Sequence, residues 1–164
     1  MRIPIEKLSL AIINANSFYE AGLAAREDDK EEDLSVSDML FKAIPATVNF
    51  CFSAELFLKA IISQFGLEFD KTHNLRKLFD VLPSGLQKGL GVAYGMIPGT
   101  NARFFVDNID SISNSFAELR YFGINAFEEK QIKVPFLFAY QFATIIKELV
   151  LSINKKTAEL IKSF

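Results

Sequence analysis

Apolar positions recur at three- and four-residue steps along most of the chain, the period of a helix with one buried face. Ile5, Leu8, Ile12, Ala15, Phe18, Ala21 and Ala25 set a first helix over 5–26. The stretch Glu27-Asp-Asp-Lys-Glu-Glu-Asp33 then places six acids in seven residues with no apolar member to bury. Residues 27–37 therefore read as a solvated, mobile acidic loop. Asp38 is placed to cap a second helix, Met39 to Phe65, which Pro45 either kinks or splits. From Phe50 to Phe65 nearly every residue is apolar, and Glu55, Lys59 and Ser63 fall on one narrow stripe at four-residue spacing. Such a helix is central in the fold, or shared between a core and a subunit interface, and the second is the preferred reading.

Gly66 closes that helix in a left-handed cap, and Thr72 caps a third through Leu75, Leu78, Phe79 and Leu82, stopped by Pro83. The Gly-rich segment from Pro83 to Arg103 holds one short helix, around Leu86 to Tyr94. Asn108 or Asp110 caps a fourth main helix lined by Ile109, Ile112, Phe116, Leu119 and Phe122, which Gly123 interrupts. A last helix over 134–163 shows Leu137, Phe138, Ala143, Ile145, Ile146, Leu149, Val150 and Ile153. No strand-like alternation competes and no repeat is visible. The expected fold is all-α: an antiparallel bundle of five to six helices, antiparallel where the loops are short.

Length and composition sharpen this picture. A chain of 164 residues, half of them apolar, is long enough to fold as one domain on its own core, so 1–164 reads as a single domain. A net charge of −2 gives no general drive toward DNA, RNA or an anionic membrane, so any such contact needs a local patch. The closest to one is Lys71, Arg76 and Lys77, with Lys88 further on. The sixteen-residue run Phe50 to Phe65, charged in its middle, is too short and too polar to span a bilayer. With no basic-then-apolar leader the chain reads as cytoplasmic. Cys51, the one cysteine, sits in the apolar run Asn49-Phe-Cys-Phe-Ser53 and reads as a core hydrophobe. One His and one Cys cannot build the usual zinc site, and the glycines lack phosphate-loop spacing. No metal and no cofactor is expected.

Two segments keep polar residues that a plain bundle does not need. Lys71-Thr-His-Asn-Leu-Arg-Lys77 holds the only histidine, His73, at a helix N-terminus. There the dipole disfavours imidazolium and suits a neutral hydrogen-bonding group or base. Local packing and capping is the competing reading. Phe116-Ala-Glu-Leu-Arg-Tyr-Phe-Gly-Ile-Asn125 sets Arg120 and Tyr121 at the end of an apolar helix. Arg120 there is a buried partner for a carboxylate such as Glu55, a phosphate-binding fork, or both.

Taken in order, Ser53-Ala-Glu-Leu-Phe-Leu-Lys-Ala60, Lys71-Thr-His-Asn-Leu75 and Glu118-Leu-Arg-Tyr121 resemble the HEPN superfamily of helical bundles. The resemblance spans about half the chain, Ser53 to Asn125. Active members are dimeric, metal-independent RNases whose site is an Arg followed four to six residues later by His, helped by a polar residue from an earlier helix. On that pattern Arg120 matches the Arg and Glu55 the earlier polar position. Asn125 stands at the position of the family histidine, and an amide cannot exchange a proton near neutral pH. His73 resembles a histidine kept in part of the family, outside the nuclease motif.

The resemblance implies first a dimeric binding module without the family's RNase chemistry. Its ligand is RNA, a nucleotide, or a partner protein of the minimal nucleotidyltransferase kind, engaged by Lys59, Lys71, Asn74, Arg120 and Tyr121 around Glu55 and His73. A defence or toxin–antitoxin setting comes with the family. The second reading is a metal-independent endoribonuclease, with Arg120 stabilising the phosphorane and His73 as relocated base, giving a 2′,3′-cyclic phosphate. In a third the polar cluster is purely structural, a buried ion pair that sets helix register. Seventeen Phe, concentrated in 41–65 and 116–142, exceed what one small core needs and argue for a homodimer.

Overall fold

The computed structural model describes residues 1–27, 36–113 and 135–155. Among them six α-helices and one 3-10 turn occur, with no strand: α1 (Ile5–Glu27), α2 (Val36–Gln64), α3 (Leu75–Val81), α4 (Ser84–Gly95), α5 (Phe105–Ile112) and α6 (Phe136–Ile153). The fold is all-α, as the helical period requires. The acidic segment 28–35 lies outside the described residues; Glu27 belongs to α1, while Val36 and Ser37 belong to α2.

The first helix packs antiparallel on the second. Ser53 Oγ in α2 donates to the Ala15 carbonyl at 2.8 Å, and Gly22 lies against the ring of Phe50. α6 runs parallel to α2 instead: Phe136 and Tyr140 meet Phe50, while Asn154 Nδ2 donates to Gln64 Oε1 at 2.8 Å. A long intervening chain permits this direction, and the antiparallel expectation holds for the α1–α2 pair. Between α1 and α6, Tyr19 Oη and Thr144 Oγ1 share a 2.9 Å hydrogen bond. Lys147 lies 4.0 Å over the Tyr19 ring and pairs with Glu20 at 3.0 Å.

Helix α2 is the axis of the bundle, packed against α1, α3 and α6. Phe50, Phe57, Leu58, Ile61 and Ile62 are fully enclosed, and truncating such a phenylalanine costs about 3–5 kcal/mol. Its apolar circumference is thus used mainly inside the chain, the central of the two readings. Phe138 and Phe142 of the second aromatic group continue the core together with Phe105 of α5. Cys51 is buried, and desolvation, with the Glu55 charge adding to it, pushes its thiol up to about 12. It packs as a small hydrophobe.

Several boundaries differ from the sequence reading. α2 begins at Val36 and runs through Pro45 as one helix, so Asp38 lies inside it and not at its cap position. At 29 residues α2 also outgrows the length argument against a bilayer. Lys42–Gln64 and Phe136–Ile153 are both long and apolar enough to cross one by length and composition, though the α2 segment is mostly buried in the fold. The N-cap of α3 is Asn74, whose side chain accepts from Lys77 N at 2.9 Å. Thr72 instead accepts from Asn74 N at 3.1 Å. α5 starts at Phe105, before Asn108 and Asp110, because Asn101 caps a 3-10 turn, Ala102–Phe104, that leads straight into it. Ile109 and Ile112 of α5 are buried as expected, whereas Leu137 and Ile153 at the ends of α6 are exposed. Phe116, Leu119, Phe122 and Gly123 lie outside the described residues.

Candidate functional site

The end of α2 and the turn into α3 build one polar cluster. α2 stops in a Schellman turn: Gly66 takes φ 71°, Leu67 N donates to Ile62 O and Gly66 N to Ser63 O, both at 3.0 Å. The chain folds back, and Phe69 buries its ring. Two contacts from the first residues hold this return in place, Met1 N to Phe69 O at 2.9 Å and Ile3 N to Ser63 Oγ at 2.8 Å. α3 is fixed at its start by Arg76 N donating to Ser113 Oγ at 2.9 Å. His73 is thereby carried back over α2.

Its Nδ1 lies 3.0 and 3.1 Å from the two carboxylate oxygens of Glu55. Glu55 also accepts from Lys59 Nζ at 2.6 Å, one turn along the same helix. The Glu55 side chain is 2% exposed and Lys59 13%, while His73 is 66% exposed. A carboxylate in such a place is stable only if paired and hydrogen-bonded, and both conditions are met. Lys59 Nζ also stands 5.6 Å over the Phe69 ring, so the ammonium is held from two sides.

An ionised carboxylate only accepts, so Nδ1 of His73 is the donor. In the imidazolium form both ring nitrogens donate, Nδ1 to Glu55 and Nε2 away from it. In the neutral form this tautomer leaves a lone pair on Nε2. The sequence reading places His73 at the start of the helix; it stands instead just before Asn74, the cap of a seven-residue helix, with Nδ1 on a carboxylate.

The structure brings together Glu55, Lys59 and His73. Asn74 stands next to them but uses its side-chain oxygen on the α3 cap. Lys71 is exposed in the same turn. Glu118, Arg120, Tyr121 and Asn125 lie outside the described residues. Arg76, counted in the basic patch, is clamped between two acids: Nε to Asp80 at 2.9 and 3.0 Å, and Nη1 to Asp110 at 2.9 and 3.1 Å. The Asp80 hydrogen bonds, together with the charges of both acids, push its guanidinium further up. The patch is thus reduced to Lys71 and Lys77. Among the described residues no three His, Cys, Asp or Glu side chains converge as metal ligands would.

Sequence reasoning missed Phe69 beneath Lys59 and the Asp80–Arg76–Asp110 clamp. The i, i+4 spacing of Arg76 and Asp80 signalled half of the clamp; no local pattern signals a partner 34 residues away.

Comparison with curated proteins and with solved structures gives no significant match. Residues 46–149, from the middle of α2 into α6 and with Glu55, Lys59 and His73 inside them, do match the family model described as the HEPN domain. That stretch is well over half of the chain, and the chain belongs to the HEPN family.

Proposed function

We propose that this HEPN-family chain is a dimeric helical module that binds a phosphate-bearing ligand, RNA or a nucleotide, at the Glu55–Lys59–His73 cluster. The observation that carries this reading is the buried Glu55 carboxylate holding an ammonium and an imidazole at the edge of the core. Burying a carboxylate is costly, and here it fixes two nitrogen donors close together, one of them largely exposed. Such a pair suits phosphate oxygens, with Lys59 as a point charge, Nε2 of His73 as a directed donor in the imidazolium form and Lys71 at the rim. Arg120, the residue that matches the family's Arg, and its neighbour Tyr121 are the further ligand-binding residues of this reading. The clamp on Arg76 leaves few free cations here, which favours a nucleotide or a short RNA segment over a long duplex and gives no reason to expect DNA. A cytoplasmic setting in defence or toxin–antitoxin function, with a nucleotidyltransferase-type partner, is the context we propose from family membership.

The test is a fluorescence anisotropy titration of a short labelled RNA and of labelled ATP in EDTA, at 50 and 200 mM salt, with wild type, Lys59→Met and His73→Ala. Binding that weakens at least tenfold in both folded variants supports the reading. Equal binding by all three, or none to either probe, refutes it.

One observation favours a second reading. An imidazole oriented through Nδ1 by a carboxylate, with its lone pair on Nε2, is a competent general base. In that reading Nε2 takes the proton of a ribose 2′-hydroxyl as its oxygen bonds to phosphorus. The 5′-oxygen then leaves and takes a proton from water, giving a 2′,3′-cyclic phosphate and a 5′-hydroxyl, with Arg120 stabilising the phosphorane. Cleavage of end-labelled RNA in EDTA, lost in both Arg120→Ala and His73→Ala, supports it; no cleavage by the wild type refutes it.

A further inference from the structure

The face formed by α4 and α6 carries apolar surface on the outside of the bundle. Leu86 and Ala93 of α4, Ile97 in the turn after it, and Ile145 and Leu149 of α6 line a groove of about 560 Å3 with almost no polar lining. Beside it, Gly85 and Val92 of α4 and Met96, its C-cap residue, share one outward stripe at three- and four-residue steps with Gly89, which also lines the groove. Val92 is 62% and Met96 79% exposed, and a Cβ built on Gly85 or Gly89 meets nothing within 4 Å. A groove and a short ridge made by the projecting Val92 and Met96 side chains therefore lie side by side on one surface.

The polar groups give this surface a sense of pairing. Thr144 on the groove wall is committed to Tyr19 and to the Tyr140 carbonyl, and Ser152 to the Leu149 carbonyl. Glu148 on the same wall is exposed and forms no ion pair with a described residue. Lys88, at the outer edge of the α4 stripe, is exposed and likewise forms none. One surface thus holds a ridge edged by a base and a groove edged by an acid, which is the self-complementarity a two-fold contact requires.

We infer that this face is where two copies of the chain meet, the α4 ridge of each seated in the α4–α6 groove of the other, with Lys88 facing the partner's Glu148. The inference rests on the dimer reading and names its interface. It places the contact away from the Phe-rich second helix, whose aromatic side chains mostly serve the chain's own core. A two-fold axis makes the charge pair twice, so a change at either position acts twice. Hydrophobic contact supplies the affinity, and the two charge pairs set the register.

The experiment is light scattering with size exclusion on wild type, Lys88→Glu, Glu148→Lys and the double swap, at 1–100 µM, as an order-of-magnitude range around the weak end of specific association. Both positions are exposed, and circular dichroism confirms that each variant is folded. The expected result is a wild-type dimer, a dissociation constant raised at least tenfold by each single swap, and recovery to within about threefold in the double swap; each tenfold step is ~1.4 kcal/mol. Val92→Glu is expected to give a monomer that no charge swap rescues. A wild-type dimer unaffected by the single swaps, or one they weaken without rescue by the double swap, overturns this interface and leaves the dimer reading standing. A wild-type monomer across the range overturns both.

Discussion

Replacing Lys59 by methionine keeps the aliphatic stem and removes the ammonium that sits 2.6 Å from Glu55. Removing one partner of a buried ion pair leaves an uncompensated charge and costs about 3–5 kcal/mol. Two features of the site reduce that figure. Lys59 is 13% exposed, and His73 Nδ1 still reaches both carboxylate oxygens. We therefore expect a loss of about 3 kcal/mol, equivalent to a fall in Tm of roughly 6–12 °C for a domain of this size. The double variant Glu55→Gln/Lys59→Met has no buried charge left, and His73 Nδ1 can donate to the amide oxygen. Its loss is expected to be about 1 kcal/mol, smaller than that of Lys59→Met alone. Urea unfolding followed by far-UV circular dichroism at 25 °C measures all four corners of the cycle, provided m stays constant. Because the pair is shielded from solvent, the coupling persists in 0.5 M NaCl, where an exposed pair loses most of its worth. A Lys59→Met variant within 1 kcal/mol of wild type, or losses that simply add, would show that the carboxylate is not held as a buried charge and anchors no ligand site.

Gly22→Ala adds a methyl 2.7–2.9 Å from the ring atoms of fully buried Phe50. Overpacking of about 1–3 kcal/mol outweighs the ~1 kcal/mol gained in helix propensity, so chemical denaturation is expected to show a net loss, relieved in Gly22→Ala/Phe50→Leu. The Cys51 thiol, pushed up from 9.0 to about 12, keeps its proton where the unfolded chain has lost one. Stability is then at its full value below pH 9 and falls at roughly 1.4 kcal/mol per pH unit for that one group between about 9 and 12, a slope that Cys51→Ala is expected to remove. Native Cys51 is also expected to resist thiol reagents at pH 8 until urea unfolds the chain. Arg76→Ala breaks only partly exposed ion pairs, so it is expected to shift stability by less than about 1 kcal/mol and leave the salt dependence of RNA binding unchanged; a loss matching that of His73→Ala would mean that the clamp opens for ligand.

The helices were readable because each buries one stripe, and Ile109 with Ile112 or Phe138 with Ile146 repeat at the period that a core imposes. The caps were less readable: Thr72, Asn74, Asn101, Asn108 and Asp110 all have capping side chains, and tertiary fixing of the flanking turns decides among them. Half of the site was visible locally, since Glu55 and Lys59 are four apart on one helix. The approach of His73 to Glu55 depends on a return through Gly66 and Phe69, a path that no periodicity encodes, and only the order of short motifs pointed to it. The exposure of Leu137 and Ile153 was illegible for the converse reason: a period marks a face but does not say where its neighbours end.

The acid of the cluster and its imidazole belong to parts of the molecule with different freedom. Glu55 and Lys59 stand on the helix around which the bundle is built, whose amides should be among the last to exchange with deuterium. His73 rides on a turn before a helix of seven residues, held by a few hydrogen bonds. One half of the site is inherited with the core and can hardly drift without unfolding the domain. The other half can shift, lengthen or change identity at little cost. A lineage carrying this scaffold can therefore retain a buried anion as a fixed anchor while the turn above it is retuned from one ligand to another.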